Sequence, residues 1–164
     1  MIALMNILVA TDFSKPSDSA LEYGRTLAGQ FEAALHVVHI VDDIATKNIT
    51  ADGFLTIMPE LQKELEDAAR AQLHAMLARG SQGPQPRARV ITSNTTARAI
   101  VEYAKEARID LIVVGTQGRG GISRLLLGSV AERLVRTAPC PVLTVHSFDR
   151  EFVRPDAPAA GAAG

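Results

Sequence analysis

The sequence predicts an α/β domain built on an open, parallel five-stranded sheet. Short apolar runs alternate along the chain with longer stretches of helical periodicity. One of those runs, Leu111 to Val114, has no polar alternation, as suits a strand buried on both faces. With 164 residues and 47% hydrophobic content, the chain is long enough for a single substantial core.

Met5 to Ala10 reads as the first strand, closing on Thr11 and Asp12. Phe13 to Pro16 makes a turn. Ser17 is placed to cap a helix with Ala20, Leu21, Gly24, Leu27, Ala28 and Phe31 on its apolar face. Ala34 to Val41 supplies the second strand, and Asp42 to Met58 is polar and irregular. Pro59 and Glu60 then open a helix running to about Arg79. Its expected inner stripe is Leu61, Leu65, Ala68, Gln72 and Met76, and its solvated face holds Glu60, Lys63, Glu64, Glu66, Asp67 and Arg70. Turn-forming residues from Gly80 to Pro86 lead to a third strand, about Arg87 to Thr92.

Thr95 or Thr96 caps a third helix with Ala97, Ile100, Val101 and Ala104 inward, and Asp110 opens the fourth strand. A fourth helix has Ser129 as its N-cap and Val130, Ala131, Leu134, Val135 and Ala138 on one face; Pro141 to His146 is the fifth strand. From Asp149 the chain lacks the periodicity of a packed element. The expected division is a folded domain over residues 1–147 and a disordered tail over residues 148–164. Right-handed crossovers between the elements give a Rossmann-like sheet of order 3-2-1-4-5 with helices on both faces. In that order the first and fourth strands are neighbours whose connections leave to opposite sides, and ligands bind at their carboxyl ends. Ala10, Thr11 and Asp12 arrive there from one strand, Gly115 from the other.

Composition removes several classes of function. A net charge of −1 offers no general field for nucleic acid or an anionic membrane surface, and 4% aromatic content without Trp leaves few stacking platforms. Neither nucleic acid nor membrane is expected as a partner. The single cysteine, Cys140, cannot form an internal disulfide, and no signal-peptide pattern or spanning apolar run occurs, so a cytoplasmic setting is expected. Cys140 reads as a small buried hydrophobe in preference to a redox thiol. His36 and His39, three apart on a strand, point to opposite faces and do not share a metal. GxSxG, HExxH and protein-kinase signatures are missing, so no catalytic or metal-ligating residue is assigned.

The chemistry concentrates between Gly115 and Val130. Gly115, Gly118, Gly120 and Gly121 permit positive φ and close approach of a ligand to the backbone, and a helix N-terminus follows at Gly128-Ser129. A strand, a glycine-rich loop and a helix N-terminus together present unpaired N–H groups and a positive dipole end to an anion such as phosphate. Tight turns and close helix packing would also explain single glycines; the joint pattern favours phosphate. Ser129 can cap its helix and bond a phosphate oxygen, and Arg119 fits either a phosphate partner or a solvated loop cation. The spacing is not that of a P-loop, since Gly121 and Ile122 follow Gly120 where Lys and Ser/Thr would stand. Nor does the turn after the first strand, TDFSKPSDS, contain the glycines of a dinucleotide fingerprint.

What remains is G-x2-G-x9-G-S: Gly115, Gly118, Gly128 and Ser129. Together with NILVATDFS, DLIVVGTQGRGG and LLLGSVAERLVRTAPCPVLTV, it resembles the ATP-binding branch of the universal stress protein family, from Asn6 through Val145. The resemblance implies ATP, with Mg2+ as its companion ion, bound by Ala10, Thr11, Asp12, Val41, Val114, Gly115, Thr116, Gly118, Arg119, Gly128, Ser129 and Val130. Ala10, Thr11 and Asp12 would lie against adenine and ribose, and Val41 on the base. It implies a stress-response role, a homodimer paired through the last strand, Val142 to His146, a further protein partner that it does not name, and at most slow ATP hydrolysis or autophosphorylation. An interaction module with a vestigial site and a slow ATPase are the alternatives. One departure is visible: Ser93-Asn94-Thr95 stands where the family has Gly-x-Pro.

Overall fold

Every apolar run that the sequence marks as a strand enters one sheet. The computed structural model describes residues 3–44, 58–79, 85–116 and 127–146. Its strands are β1 (Asn6–Thr11), β2 (Ala34–Val41), β3 (Arg87–Thr92), β4 (Leu111–Gly115) and β5 (Val142–Val145). The helices are α1 (Lys15–Phe31), α2 (Met58–Ala78), α3 (Thr96–Glu106) and α4 (Ser129–Thr137). All pairings are parallel and the order is β3-β2-β1-β4-β5, as the sequence predicts. β1 is central. Ile7 pairs with Leu35 on one side and Leu111 on the other, and Ile7, Leu8 and Val9 are fully buried.

Alternation along β1 divides the core into two layers. Ile7 and Val9 pack with Ala20 and Leu21 of α1 and Leu73 and Leu77 of α2. Leu8 and Ala10 pack with Ile100 and Ala104 of α3 and Ala131 and Leu134 of α4. Thus α1 and α2 cover one face, α3 and α4 the other. His36 belongs to the second face, 2% exposed with Nδ1 2.9 Å from the Tyr103 hydroxyl, while the His39 ring meets Phe13 on the first. The Asp110 carboxylate accepts the backbone N–H groups of Met5 at 2.8 Å and Asn6 at 2.9 Å, fixing the start of β1 against that of β4. Cys140 packs at the margin of the α3/α4 layer, and burial, with the charge of Asp110, pushes its thiol pKa up.

Several sequence-derived details need correction. β1 includes Thr11, and β5 is shorter than Pro141 to His146. The N-cap of α1 is Ser14 rather than Ser17, because Pro16 fits the first helical turn and pulls the boundary back. Gly128, not Ser129, caps α4, whose buried face reduces to Ala131 and Leu134 while Val135 is 55% exposed. Phe31 is also largely exposed. The stripe of α2 runs through Ala69, Leu73 and Leu77 in place of Leu65, Ala68 and Gln72, and Leu61 and Leu65 face outward. Glu66, on the solvated face as expected, also accepts a hydrogen bond from Thr92 Oγ1 at 2.7 Å, which lowers its pKa and ties α2 to β3. The expected tail and residues 117–126 lie outside the described residues.

Two glycines of α1 have opposite surroundings. A Cβ on Gly24 would overlap Cγ2 of Val9, a stiff side chain with no exposed surface, whereas one on Gly29 would meet nothing within 4 Å. Gly24→Ala is expected to destabilise the fold by about 1–3 kcal/mol through overpacking. Gly29→Ala should stabilise it by about 0.5–1 kcal/mol through helix propensity, and urea midpoints of the two variants test both signs. His36 supplies a pH dependence. Its burial, aided by the charge of Arg87, depresses its pKa below the ordinary 6.5. The unfolded chain therefore takes up a proton below about pH 6.5 while the folded chain does not. Stability is expected to be full above that pH and to fall through the window between the two values, with a smaller fall in His36→Phe.

Candidate functional site

The turn after β1 is built by its own side chains. Thr11 Oγ1 lies 3.0 Å from Ser17 Oγ and accepts the Phe13 N–H at 3.1 Å. Asp12 Oδ1 accepts the Ser14 N–H at 3.1 Å and the Ser14 hydroxyl at 2.5 Å, an Asx turn that delivers the chain into α1. Phe13 pays for this route with φ 63°, a left-handed conformation uncommon outside glycine. Its ring lies 4.2 Å from that of His39, whose Nδ1 is 2.8 Å from the Thr11 carbonyl.

The end of β4 is shaped by a close approach. A Cβ on Gly115 would lie 2.8 Å from the carbonyl carbon of Pro16 and 2.9 Å from its oxygen. Glycine here seats α1 against the strand end, so Gly115 has a packing reason beside the ligand reason read from sequence. Next, the Thr116 N–H donates to the Val145 carbonyl at 2.9 Å and its own carbonyl accepts the Gly128 N–H at 2.6 Å. Thr116 Oγ1 stands 2.7 Å from Nδ1 of His146. These bonds hold Thr116 beside Gly128, where α4 starts.

Between these two turns lies a cleft of about 230 Å3, just under the usual range of small-molecule pockets, about 300–1,000 Å3. Ala10, Thr11, Asp12, Val114 and Gly115 line it from the strands, and Gly128, Ser129 and Val130 from the start of α4. These sequence-derived site residues thus meet at one place. Thr116 sits behind the strand end, 1% exposed, and Val41 is outside the lining, its carbonyl accepting the Ser93 N–H at 2.9 Å. Gly118 and Arg119 lie outside the described residues.

Sequence reasoning missed several walls. Val38, Ile40 and Ile100 give the cleft an apolar side, while Ser17 and Thr96 bring hydroxyl-bearing residues from the first turns of α1 and α3. With Ser129, three helices direct their first turns at the cleft. Among the described lining residues there is no Lys or Arg, and Asp12 is the only carboxylate. Positive potential from these residues comes from peptide dipoles, each end of a helix carrying about half a charge. The arrangement suits an apolar ring on one side and oxyanions beside Gly128 and Ser129 on the other.

Known proteins share this fold. Residues 4–146 match the model of the universal stress protein family. Universal stress protein MJ0531 of Methanocaldococcus jannaschii is 34% identical over 145 residues, covering 88% of this chain and 84% of that protein. Universal stress protein Rv2005c of Mycobacterium tuberculosis is 34% identical over 150 residues, where the match spans 87% of this chain and 48% of the longer relative. Among solved structures, universal stress protein UspA from Lactobacillus plantarum superposes with a TM-score of 0.65 at 27% identity, covering 88% of this chain and 99% of that one. A universal stress protein in complex with cAMP gives 0.56 at 26% identity, covering 88% and 98%. On the extent of the family match and the identity to its members, this chain belongs to the universal stress protein family.

Proposed function

We propose that the chain is an ATP-binding regulatory protein of the stress response, a cytoplasmic homodimer whose bound nucleotide biases its choice of protein partner. The observation that carries the reading is the cleft at the β1 and β4 ends, lined by Asp12, by the first turn of α4 and by the apolar Val38, Ile40 and Ile100. Adenine would lie along Val38, Ile40 and Ile100, with the ribose hydroxyls near Asp12 and the phosphates at Gly128 and Ser129. Gly118 and Arg119 would extend the phosphate site. The cAMP complex of a related protein supports the nucleotide class.

Charge argues for a companion ion. The described walls set one carboxylate and no cation against a polyphosphate, so Mg2+ on the phosphate oxygens would offset the repulsion. Calorimetry of nucleotide-stripped protein is expected to show saturable Mg-ATP binding, weakened roughly tenfold or more in a folded Gly128→Val variant. Chelating Mg2+ should weaken ATP much more than AMP. Absence of ATP binding to the folded, stripped protein would leave the interaction-module reading in its place.

The dimer reading rests on β5, an edge strand. Pro141 and Val145 give their carbonyls to Ile112 and Thr116 of the neighbouring strand, so the backbone of Thr144, one residue out of phase, faces away from the sheet. A proline there takes no bond from β4 and blocks pairing with a second copy. Sedimentation of Thr144→Pro as a monomer beside a dimeric wild type is the expected result; a dimeric variant would move the interface elsewhere.

A further inference from the structure

A second cleft, of about 480 Å3, lies toward the other end of α3. Register places Arg87 beside His36 and Arg89 beside Val38 on the edge strand β3, so the two arginines project from the same face, roughly 6.5 Å apart along the strand. Tyr103 and Glu106, from the last turns of α3, form the opposite wall, with His36 among the lining residues.

The hydrogen bonds of this cleft leave donors unspent. The Tyr103 hydroxyl is 2.9 Å from His36 Nδ1. The other ring nitrogen of His36, Nε2, is buried and has no partner among the described residues. Arg87 makes no side-chain hydrogen bond or ion pair among them, and Glu106 pairs with neither arginine.

We propose that this cleft is an anion site for a single phosphate group, held by the guanidiniums of Arg87 and Arg89 above the Tyr103–His36 pair. Two forked donors set apart along a strand can grip two edges of a tetrahedral anion, whereas a planar carboxylate occupies one fork. Glu106 on the opposite wall leaves the cleft one net positive charge and opposes a polyanion. The site stands independently of the nucleotide cleft, whose walls at Ile100 and Thr96 lie toward the start of α3.

The test is NMR of the full chain, following the His36 ring and Tyr103 during titration with inorganic phosphate at constant ionic strength. Saturable shifts are expected, with affinity roughly tenfold or more weaker in the folded Arg87→Gln/Arg89→Gln variant. Glycerol 3-phosphate in place of inorganic phosphate distinguishes a phosphorylated small molecule from the free ion; arginine-dependent saturation by either supports the site. Equal response to acetate or chloride, shifts confined to the neighbourhood of Gly128 and Ser129, or unchanged affinity in the double variant would overturn it.

Discussion

The side-by-side ending of β1 and β4 is the constraint on which the rest of the molecule depends. Their starts are registered by the Asp110 carboxylate on the N–H groups of Met5 and Asn6, and their ends diverge, one chain to α1 on the first face and the other toward α4 on the second. A gap follows from that divergence without any specialised residue. Its width is set by the contact of Gly115 with Pro16, since a side chain at that position would push the start of α1 outward. Gly115 is therefore a packing requirement in its own right, whatever the cleft beside it holds.

The fold was legible because its signals are periodic and redundant. Strands buried on both faces read as apolar runs, and turn residues separate them from helices. Helix starts were less legible: Ser14, Ser17, Gly128 and Ser129 are all acceptable caps, and Pro16 and the Thr116–Gly128 bond decide between them. For α2, two leucines drew the expected stripe toward Leu61 and Leu65, while packing on the sheet selected Ala69, Leu73 and Leu77. The site was legible at the strand ends, where topology brings Asp12 and Gly115 together. Val38 and Ile40 were not, because a doubly buried strand carries no sequence mark of which face meets a cleft. Thr96 reads from sequence only as a candidate cap, and a single hydroxyl gives no sign that the first turn of its helix borders a cleft.

The two clefts divide the electrostatics of the α3 face. One is lined by dipoles and hydroxyls with Asp12 at its edge; the other has paired arginines beside a buried, neutral histidine. Helix α3 is their common wall, Ile100 bordering the first and Tyr103 the second. Because Ile100 is fully packed against Leu8, Val38 and Ile112, the helix cannot tilt toward one cleft without disturbing the centre of the sheet.

The bond from Gly128 N–H to the Thr116 carbonyl carries a consequence for the chain's history and for its engineering. Both ends of the intervening segment are anchored on β4 and β5 irrespective of what lies between them. Lengthening such a segment changes its closure entropy only logarithmically, about 0.6 kcal/mol for each doubling. A change of length between those two anchors therefore costs little, and β4, β5 and the start of α4 stay joined without it.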